Sequence, residues 1–155
     1  MNRFNILRNL LVIPLVLSLA STDAQVRNPV KWTHSIKAKG SGKYEVRMSA
    51  VLEKGWHIYS QHTPDGGPIP TSVVFTKNPL ITLVGSVKEV GKLENHYEKL
   101  FGVNVKQFSN EVTFVQELTV KGKVKTNISG TLEYMMCNDT ECLPPASQRF
   151  SLALQ

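Results

Sequence analysis

Residues 44–50 read YEVRMSA, with apolar and polar side chains at alternating positions. Alternation with a period of two is typical of an antiparallel strand that is buried on one face and solvated on the other. The buried face would carry Tyr44, Val46, Met48 and Ala50. This stretch therefore predicts a half-buried strand.

Similar segments recur along the chain, rich in valine, threonine, isoleucine and phenylalanine and separated by Gly, Pro, Asn and Lys. They span residues 30–36, 57–60, 71–76, 81–87, 103–108, 112–120, 127–136 and 148–154. No stretch of 11 residues shows helical periodicity. Eight or nine short strands joined by turns predict a single all-β domain. We expect a β-sandwich, with a small barrel as the alternative.

The first 24 residues have the order of a secretory signal peptide. Arg3 and Arg8 precede an apolar run of 11 residues, LLVIPLVLSLA, which ends at Ala20 and is followed by small and polar residues. The run is shorter than the roughly 20 residues that a membrane-spanning helix needs. We therefore expect cleavage after Ala24, export to the periplasm, and a mature domain of residues 25–155 that is not inserted in the membrane.

The predicted mature domain is mildly basic. Removal of residues 1–24 takes away two arginines and one aspartate, which lowers the formal net charge from +6 to +5. The lysines of residues 121–125 (KGKVK) cluster in a turn without interleaved aromatic side chains. Nucleic-acid sites usually combine a concentrated basic face with stacking aromatics. We expect no nucleic-acid partner.

The only two cysteines of the sequence, Cys137 and Cys142, bound a loop of six residues after a predicted strand. Two cysteines in an exported protein tend to pair. Closing so short a loop contributes only about 2 kcal/mol in the loop-entropy model, against about 4.7 kcal/mol for a loop of 100 residues. The spacing therefore favours a disulfide that exchanges with other thiols. A binding module with a purely structural disulfide remains the first alternative.

Two acidic residues, Asp139 and Glu141, lie between the cysteines, and no basic residue does. Negative charge disfavours a nearby thiolate, and an unperturbed thiol with a pKa near 8.5 is only a few per cent ionised at neutral pH. We expect these acids to tune the thiols so that the pair reacts slowly until a partner docks.

Copper(I) binding is the second alternative, because soft sulfur ligands suit that ion. The candidate ligands are Met135, Met136, Cys137 and Cys142. Neighbouring residues of a strand point to opposite faces, so the two methionines cannot both reach one ion without a bulge. We predict no metal and no cofactor. The histidines at positions 57, 62 and 96 are interpreted as polar surface residues.

Several segments, taken together, resemble a known family. They are GWHIYSQ at 55–61, GPIPT at 67–71, FGV at 101–103, GTLEY at 130–134, and the run from MMC at 135–137 to CLPP at 142–145, which is the most specific. In their order and spacing, over nearly all of the predicted mature chain, they resemble the amino-terminal periplasmic domain of the thiol:disulfide interchange protein DsbD.

This resemblance implies an immunoglobulin-like sandwich with the cysteine pair at one end. It implies a domain that takes electrons from a thioredoxin-like domain and reduces periplasmic partners, among them disulfide isomerases and the thioredoxins of cytochrome c maturation. The position of Cys142 would form the mixed disulfide with the partner, and that of Cys137 would resolve it.

The resemblance also implies a cap that shields the cysteines until a partner docks. Residues 98–102 (EKLFG) fall at its place, so Leu100 and Phe101 are the candidate shielding residues. Ordinary core packing is the alternative for both. Tyr59 lies on the strand that would run beside the cysteines, as a shielding residue or a core tyrosine. We call residues 98–102 the cap turn.

The sequence departs from the family pattern in two ways. The segment between the cysteines is one residue shorter than in the family, and the 155 residues include no membrane-spanning or thioredoxin-like part of the kind the family carries. We therefore expect a transmembrane electron carrier or a thioredoxin-like protein on another chain to supply the electrons.

Overall fold

The computed structural model describes residues 28–155, so the predicted signal peptide and its cleavage position lie outside the described residues. Residues 28–155 form strands and turns without a helix, and hence without a helix able to cross a membrane. The strands are β1 Val30–Gly40, β2 Lys43–Leu52, β3 His57–Tyr59, β4 Ser72–Phe75, β5 Ile81–Gly91, β6 Glu94–Glu98, β7 Val103–Ser109, β8 Glu111–Val120, β9 Thr126–Tyr134, β10 Met136–Cys137 and β11 Ala146–Leu154. The prediction of an all-β domain is confirmed.

The strands form three antiparallel sheets that pack as a sandwich. The first sheet has the order β1-β2-β8-β5, the second β10-β3-β7-β6 and the third β11-β9-β4. The main core takes side chains from all three, such as Phe114 from the first sheet, Phe108 from the second and Leu132 from the third. The second sheet therefore packs on a core that the other two sheets also enclose.

The stretch YEVRMSA lies inside β2, and its alternation is reproduced. Val46, Met48 and Ala50 are completely buried. On the opposite face Glu45 is also buried, because Lys39 Nζ at 2.9 Å and Arg47 at 2.6 Å pair with its carboxylate. The polar face of this strand is thus solvated only in part.

Two features of the strand pattern were not predicted. Strand β6 has the polar sequence ENHYE without apolar alternation, and it is held by its backbone ladder with β7. The predicted strand 127–136 is divided, because the chain leaves the third sheet after Tyr134 and enters the second sheet at Met136. This crossing between sheets brings the cysteines next to β3.

The two faces of the second sheet have different surroundings. Ile58, Phe108 and Met136 point into the main core. Because side chains alternate along a strand, their neighbours Tyr59 and Cys137 point to the other face, where they form a separate buried cluster with Val105. The candidate site is on this outer face of the sandwich.

His34, in β1, is enclosed by aromatic side chains. Its ring centroid lies 5.5 Å from that of Phe150 and 6.4 Å from that of Trp32. Both ring nitrogens are buried and have no hydrogen-bond partner among the residues that the structure describes. Burial lowers the pKa of His34 below its usual 6.5.

We predict that His34 destabilises the fold in acid. Since its folded pKa lies below the unfolded value, its effect is absent above about pH 6.5 and grows as the pH falls, by at most about 1.4 kcal/mol per pH unit. Urea unfolding of the wild type and of His34→Phe between pH 8 and pH 5 measures it. The two free energies of unfolding should differ by a constant at pH 7–8, and below that range the wild type should lose stability faster. Parallel curves down to pH 5 would contradict the prediction.

Candidate active site

Cys137 and Cys142 are joined by a disulfide. Cys137 ends β10, and Cys142 faces it across an isolated antiparallel bridge. The Asn138 N–H donates to the Glu141 carbonyl at 2.9 Å, and the Leu143 N–H donates to the Met136 carbonyl at 2.9 Å. The loop from Cys137 to Cys142, which we call the cysteine loop, is therefore a tight hairpin rather than an irregular excursion.

Asn138 holds the tip of the cysteine loop. Its side-chain Oδ1 accepts hydrogen bonds from the N–H of Thr140 at 2.9 Å and from the N–H of Glu141 at 2.8 Å. The Thr140 hydroxyl lies 2.9 Å from the same oxygen. Such local bonds of asparagine are typical of tight turns. The side chains of Asp139 and Glu141 are exposed on this turn.

The two sulfur-bearing residues differ in accessibility. Cys137 is completely buried, whereas Cys142 is half-buried at the edge of the cluster formed by Tyr59, Val105 and Cys137. The disulfide thus joins a buried residue to one that solvent or a partner can reach.

A hydrogen-bonded group of polar side chains lies next to Cys137. His57 is directly opposite Cys137 in the ladder between β3 and β10. The Tyr59 hydroxyl donates to Glu98 Oε2 at 2.8 Å, and His57 Nε2 lies 3.3 Å from the same oxygen and 3.0 Å from the Tyr59 hydroxyl. All three residues are buried. We call His57, Tyr59 and Glu98 the polar cluster.

The polar cluster has defined protonation states. Burial raises the pKa of Glu98, but the hydrogen bonds from Tyr59 and Leu100 and the nearby His57 more than offset it, so the pKa lies below its usual value. Burial, followed by the hydrogen bond and charge of Glu98, raises the pKa of Tyr59. Glu98 is therefore a carboxylate and Tyr59 a neutral donor at neutral pH.

His57 is neutral at the same pH. Burial lowers its pKa, and Glu98 and Asp139 offset this only in part, while His96 adds to the lowering. A neutral imidazole beside a carboxylate can accept a proton, because the imidazolium that forms is stabilised by the adjacent negative charge.

The cap turn is fastened to the polar cluster through Glu98. The Leu100 N–H donates to Glu98 Oε1 at 3.3 Å, and the N–H groups of Phe101 and Gly102 donate to the Glu98 carbonyl at 3.2 and 2.8 Å. Leu100 and Phe101 themselves are exposed, at 50% and 36% of their surface. The alternative of ordinary core packing is therefore wrong for these two side chains.

One interpretation of the sequence needs correction. His57 is buried and hydrogen-bonded rather than a polar surface residue, whereas His62 and His96 are exposed as expected. Glu98 begins the exposed cap turn but is itself only 4% exposed, and its carboxylate accepts hydrogen bonds from the Tyr59 hydroxyl and the Leu100 N–H. The sequence carried one signal for this site, namely a histidine and a tyrosine two residues apart on a short strand.

The arrangement also bears on metal binding. A ring nitrogen of His57, a carboxylate oxygen of Glu98 and Cys137 Sγ lie within 4.8 Å of one another. The sulfur is in the disulfide, and His57 Nε2 lies 3.3 Å from Glu98 Oε2. Met136 packs in the main core, while Met135 packs beside the cysteines. The two methionines therefore face opposite sides, as the alternation predicted.

Comparison with known proteins gives a family match and structural relatives. The family model described as "Thiol:disulfide interchange protein DsbD, N-terminal" matches residues 24–154. The N-terminal periplasmic domain of ScsB from Proteus mirabilis has a TM-score of 0.58 at 18% identity, over 83% of this chain and 47% of that one. The reduced N-terminal domain of DsbD from Neisseria meningitidis has a TM-score of 0.51 at 15% identity, over 79% of this chain and 84% of that one.

These likenesses show a shared fold. The chain spans about half the length of the ScsB domain, at 47%. No curated protein sequence matches the chain.

We predict that reduction of the disulfide leaves the fold intact. Loop closure contributes only about 2 kcal/mol here, and the disulfide lies outside the main core. The melting temperature should therefore fall by roughly 5–15 °C in excess phosphine reductant, with a cooperative transition retained. Differential scanning calorimetry measures this, with the Cys137→Ala, Cys142→Ala double variant as the control that reductant should not affect. Loss of the cooperative transition on reduction would identify the disulfide as a staple.

Proposed function

The chain belongs to the family of amino-terminal domains of the thiol:disulfide interchange protein DsbD, and from this premise we propose that Cys137 and Cys142 form a reversible disulfide that carries electrons to protein disulfides. The family is one of thiol–disulfide exchange. The proposal also specifies which sulfur reacts with the partner, which residues shield the disulfide, and which kind of protein supplies the electrons.

The observation that carries the proposal is the unequal burial of the two cysteines. A thiolate attacks a disulfide sulfur in line, so the reacting sulfur must be reachable. Cys142 is half-buried and Cys137 completely buried. Cys142 is therefore the residue that exchanges with a partner, and Cys137 is the resolving residue.

The exchange has two balanced steps. The Cys142 thiolate attacks one sulfur of a partner disulfide, which forms the Cys142–partner disulfide and releases the other partner sulfur as a thiolate. Cys137 then loses its proton and attacks Cys142 Sγ, which forms the Cys137–Cys142 disulfide and releases the second partner thiolate. Two electrons pass from the domain to the partner, and reversal of the steps with a reduced donor restores the dithiol.

A purely structural role for the disulfide is the weaker hypothesis, because the bond joins neighbours in one hairpin on the outer face of the second sheet. It does not connect the sheets across the main core, as the inter-sheet disulfide of antibody domains does.

In this proposal Asp139 and Glu141 lower the reactivity of the two thiols. Both are exposed within the cysteine loop, and their negative charge disfavours the Cys142 thiolate in the free protein. A docking partner that brings positive charge or excludes water from the loop would remove this penalty.

The cap turn and Tyr59 shield the pair. Tyr59 is completely buried against Cys137, and its hydroxyl is bonded to Glu98 at the base of the cap turn. Leu100 and Phe101 project from this turn. Displacement of the turn by a docking partner would open the approach to Cys142 further.

The proposed setting is the periplasm, reached through the signal peptide of residues 1–24. The partners are thioredoxin-like proteins or domains, and a transmembrane electron carrier supplies the reducing equivalents. Cytochrome c maturation is one process in which such a domain would act.

We predict that the single-cysteine variants trap a partner unequally. Reduced Cys137→Ala should form a stable mixed disulfide with an oxidised thioredoxin-fold protein, because no second thiol is left to resolve it. Reduced Cys142→Ala should do so at least about tenfold more slowly, because its remaining thiol is buried. Non-reducing electrophoresis of timed, acid-quenched mixtures measures both rates.

The wild type serves as the control in this trapping experiment and should accumulate no mixed disulfide. Equal trapping by the two variants would remove the assigned roles. Trapping by neither variant, across a panel of thioredoxin-fold proteins, would contradict the proposed exchange function.

We predict that truncation of the cap turn exposes the pair. In Leu100→Ala, Phe101→Ala, the reduced protein should react with a small chromogenic disulfide roughly threefold or more faster, because access limits the attacking sulfur. Val74→Ala, which truncates an exposed residue of β4, is the matched control. An unchanged rate in the double variant would show that these side chains do not shield Cys142.

A further inference from the structure

We propose that His57 accepts the proton of Cys137 when Cys137 resolves the mixed disulfide, and returns it when Cys137 becomes a thiol again. This inference rests on the proposed exchange function and assigns a role to a histidine that the exchange steps given above do not include.

The resolving step needs a proton acceptor inside the protein. Cys137 is completely buried, and burial disfavours a charged thiolate. Water is therefore a poor acceptor for this proton, and a neighbouring side chain must take it. The thiol is activated by an adjacent base in many enzymes with nucleophilic cysteines.

Geometry selects the polar cluster as the source of that base. His57 is the direct cross-strand neighbour of Cys137, and directly opposed residues have side chains in contact range. A ring nitrogen of His57, a carboxylate oxygen of Glu98 and Cys137 Sγ lie within 4.8 Å of one another.

Within the cluster only His57 can take up the proton at neutral pH. Tyr59 already donates its hydroxyl proton to Glu98. Glu98 accepts hydrogen bonds from Tyr59 and the Leu100 N–H, and these keep it ionised. His57 is neutral, and the imidazolium formed on proton uptake would be paired with Glu98 Oε2 at 3.3 Å.

The charged and titratable groups around His57 come from each neighbouring element. Strand β6 supplies Glu98 and His96, the cysteine loop supplies Asp139, and β3 itself supplies Tyr59. On β7 the residue opposite His57 is the neutral Ser109. Of these groups, Glu98 and Asp139 favour the imidazolium and His96 opposes it.

The Cys137 S–H bond breaks and its proton moves to the unprotonated ring nitrogen of His57, while the sulfur electron pair forms the bond to Cys142 Sγ. The Cys142–partner bond breaks, and the partner leaves as a thiolate. In the reverse direction an incoming thiolate attacks Cys142 Sγ, Cys137 leaves with the electron pair, and the His57 imidazolium protonates it.

The test follows the reactions of Cys142 and Cys137 as two successive kinetic phases. Reduced protein mixed with excess dithiobis-nitrobenzoate should release one chromophore thiolate when Cys142 attacks and a second when Cys137 resolves the adduct. Stopped-flow absorbance between pH 5 and pH 9 gives both rates, and circular dichroism confirms that each variant is folded.

His57→Gln should slow the second phase at least about tenfold at pH 7 and leave the first phase within about twofold. The wild-type second phase should level off above the pKa of His57, whereas that of His57→Gln should still rise past pH 8, as an unassisted thiol would. His62→Gln, at an exposed histidine of the same region, is the matched control and should behave as the wild type.

Glu98→Gln supplies a second, independent measurement, which tests the role of His57 even if His57→Gln does not fold. Loss of the carboxylate makes the imidazolium less favourable, so the point at which the second phase levels off should move to lower pH. An unchanged levelling point in Glu98→Gln, or a uniform slowing of His57→Gln without a change of its pH profile, would overturn the proposal. Failure of the wild type to release the second chromophore would instead contradict the exchange function itself.

Discussion

The ladder between β3 and β10, with His57 opposite Cys137 and Ile58 opposite Met136, is the constraint on which the site depends. Ile58 and Met136 are buried in the main core, so the alternate residues must face outward. A slip of one residue would exchange the two faces and send the cysteine into the core. The hydrophobic packing of one face therefore fixes the chemistry of the other, although the strands β3 and β10 are very short.

Much of the fold follows from the sequence because the core strands obey the alternation. Strand β2 and its partner β8 bury apolar side chains where the pattern places them, and the cysteine pair stands out by its spacing. The surroundings of strand β3 could not be predicted from the sequence, because all three of its residues are buried. One face meets the core and the other meets the polar cluster, so burial there depends on distant parts of the chain.

Glu98 shows most plainly what the sequence leaves undecided. It stands among the polar residues of β6 and next to Lys99, a context typical of a solvated turn. Its burial arises only when Tyr59 and His57, some 40 positions earlier in the chain, are brought beside it by the pairing of β3, β7 and β6. Long-range pairing of this kind leaves no local signature, and a buried carboxylate is tolerated here because each of its oxygens accepts at least one hydrogen bond.

The disulfide crosses the boundary between two electrostatic environments. On the exposed side, Cys142 lies in a loop that carries Asp139 and Glu141, and on the buried side Cys137 lies beside His57 and Glu98. A single carboxylate connects this buried side to the cap turn, since Glu98 Oε1 holds the Leu100 N–H while Oε2 holds Tyr59 and His57. Because Glu98 belongs both to the cap turn and to the polar cluster, the position of the turn and the surroundings of His57 depend on one side chain.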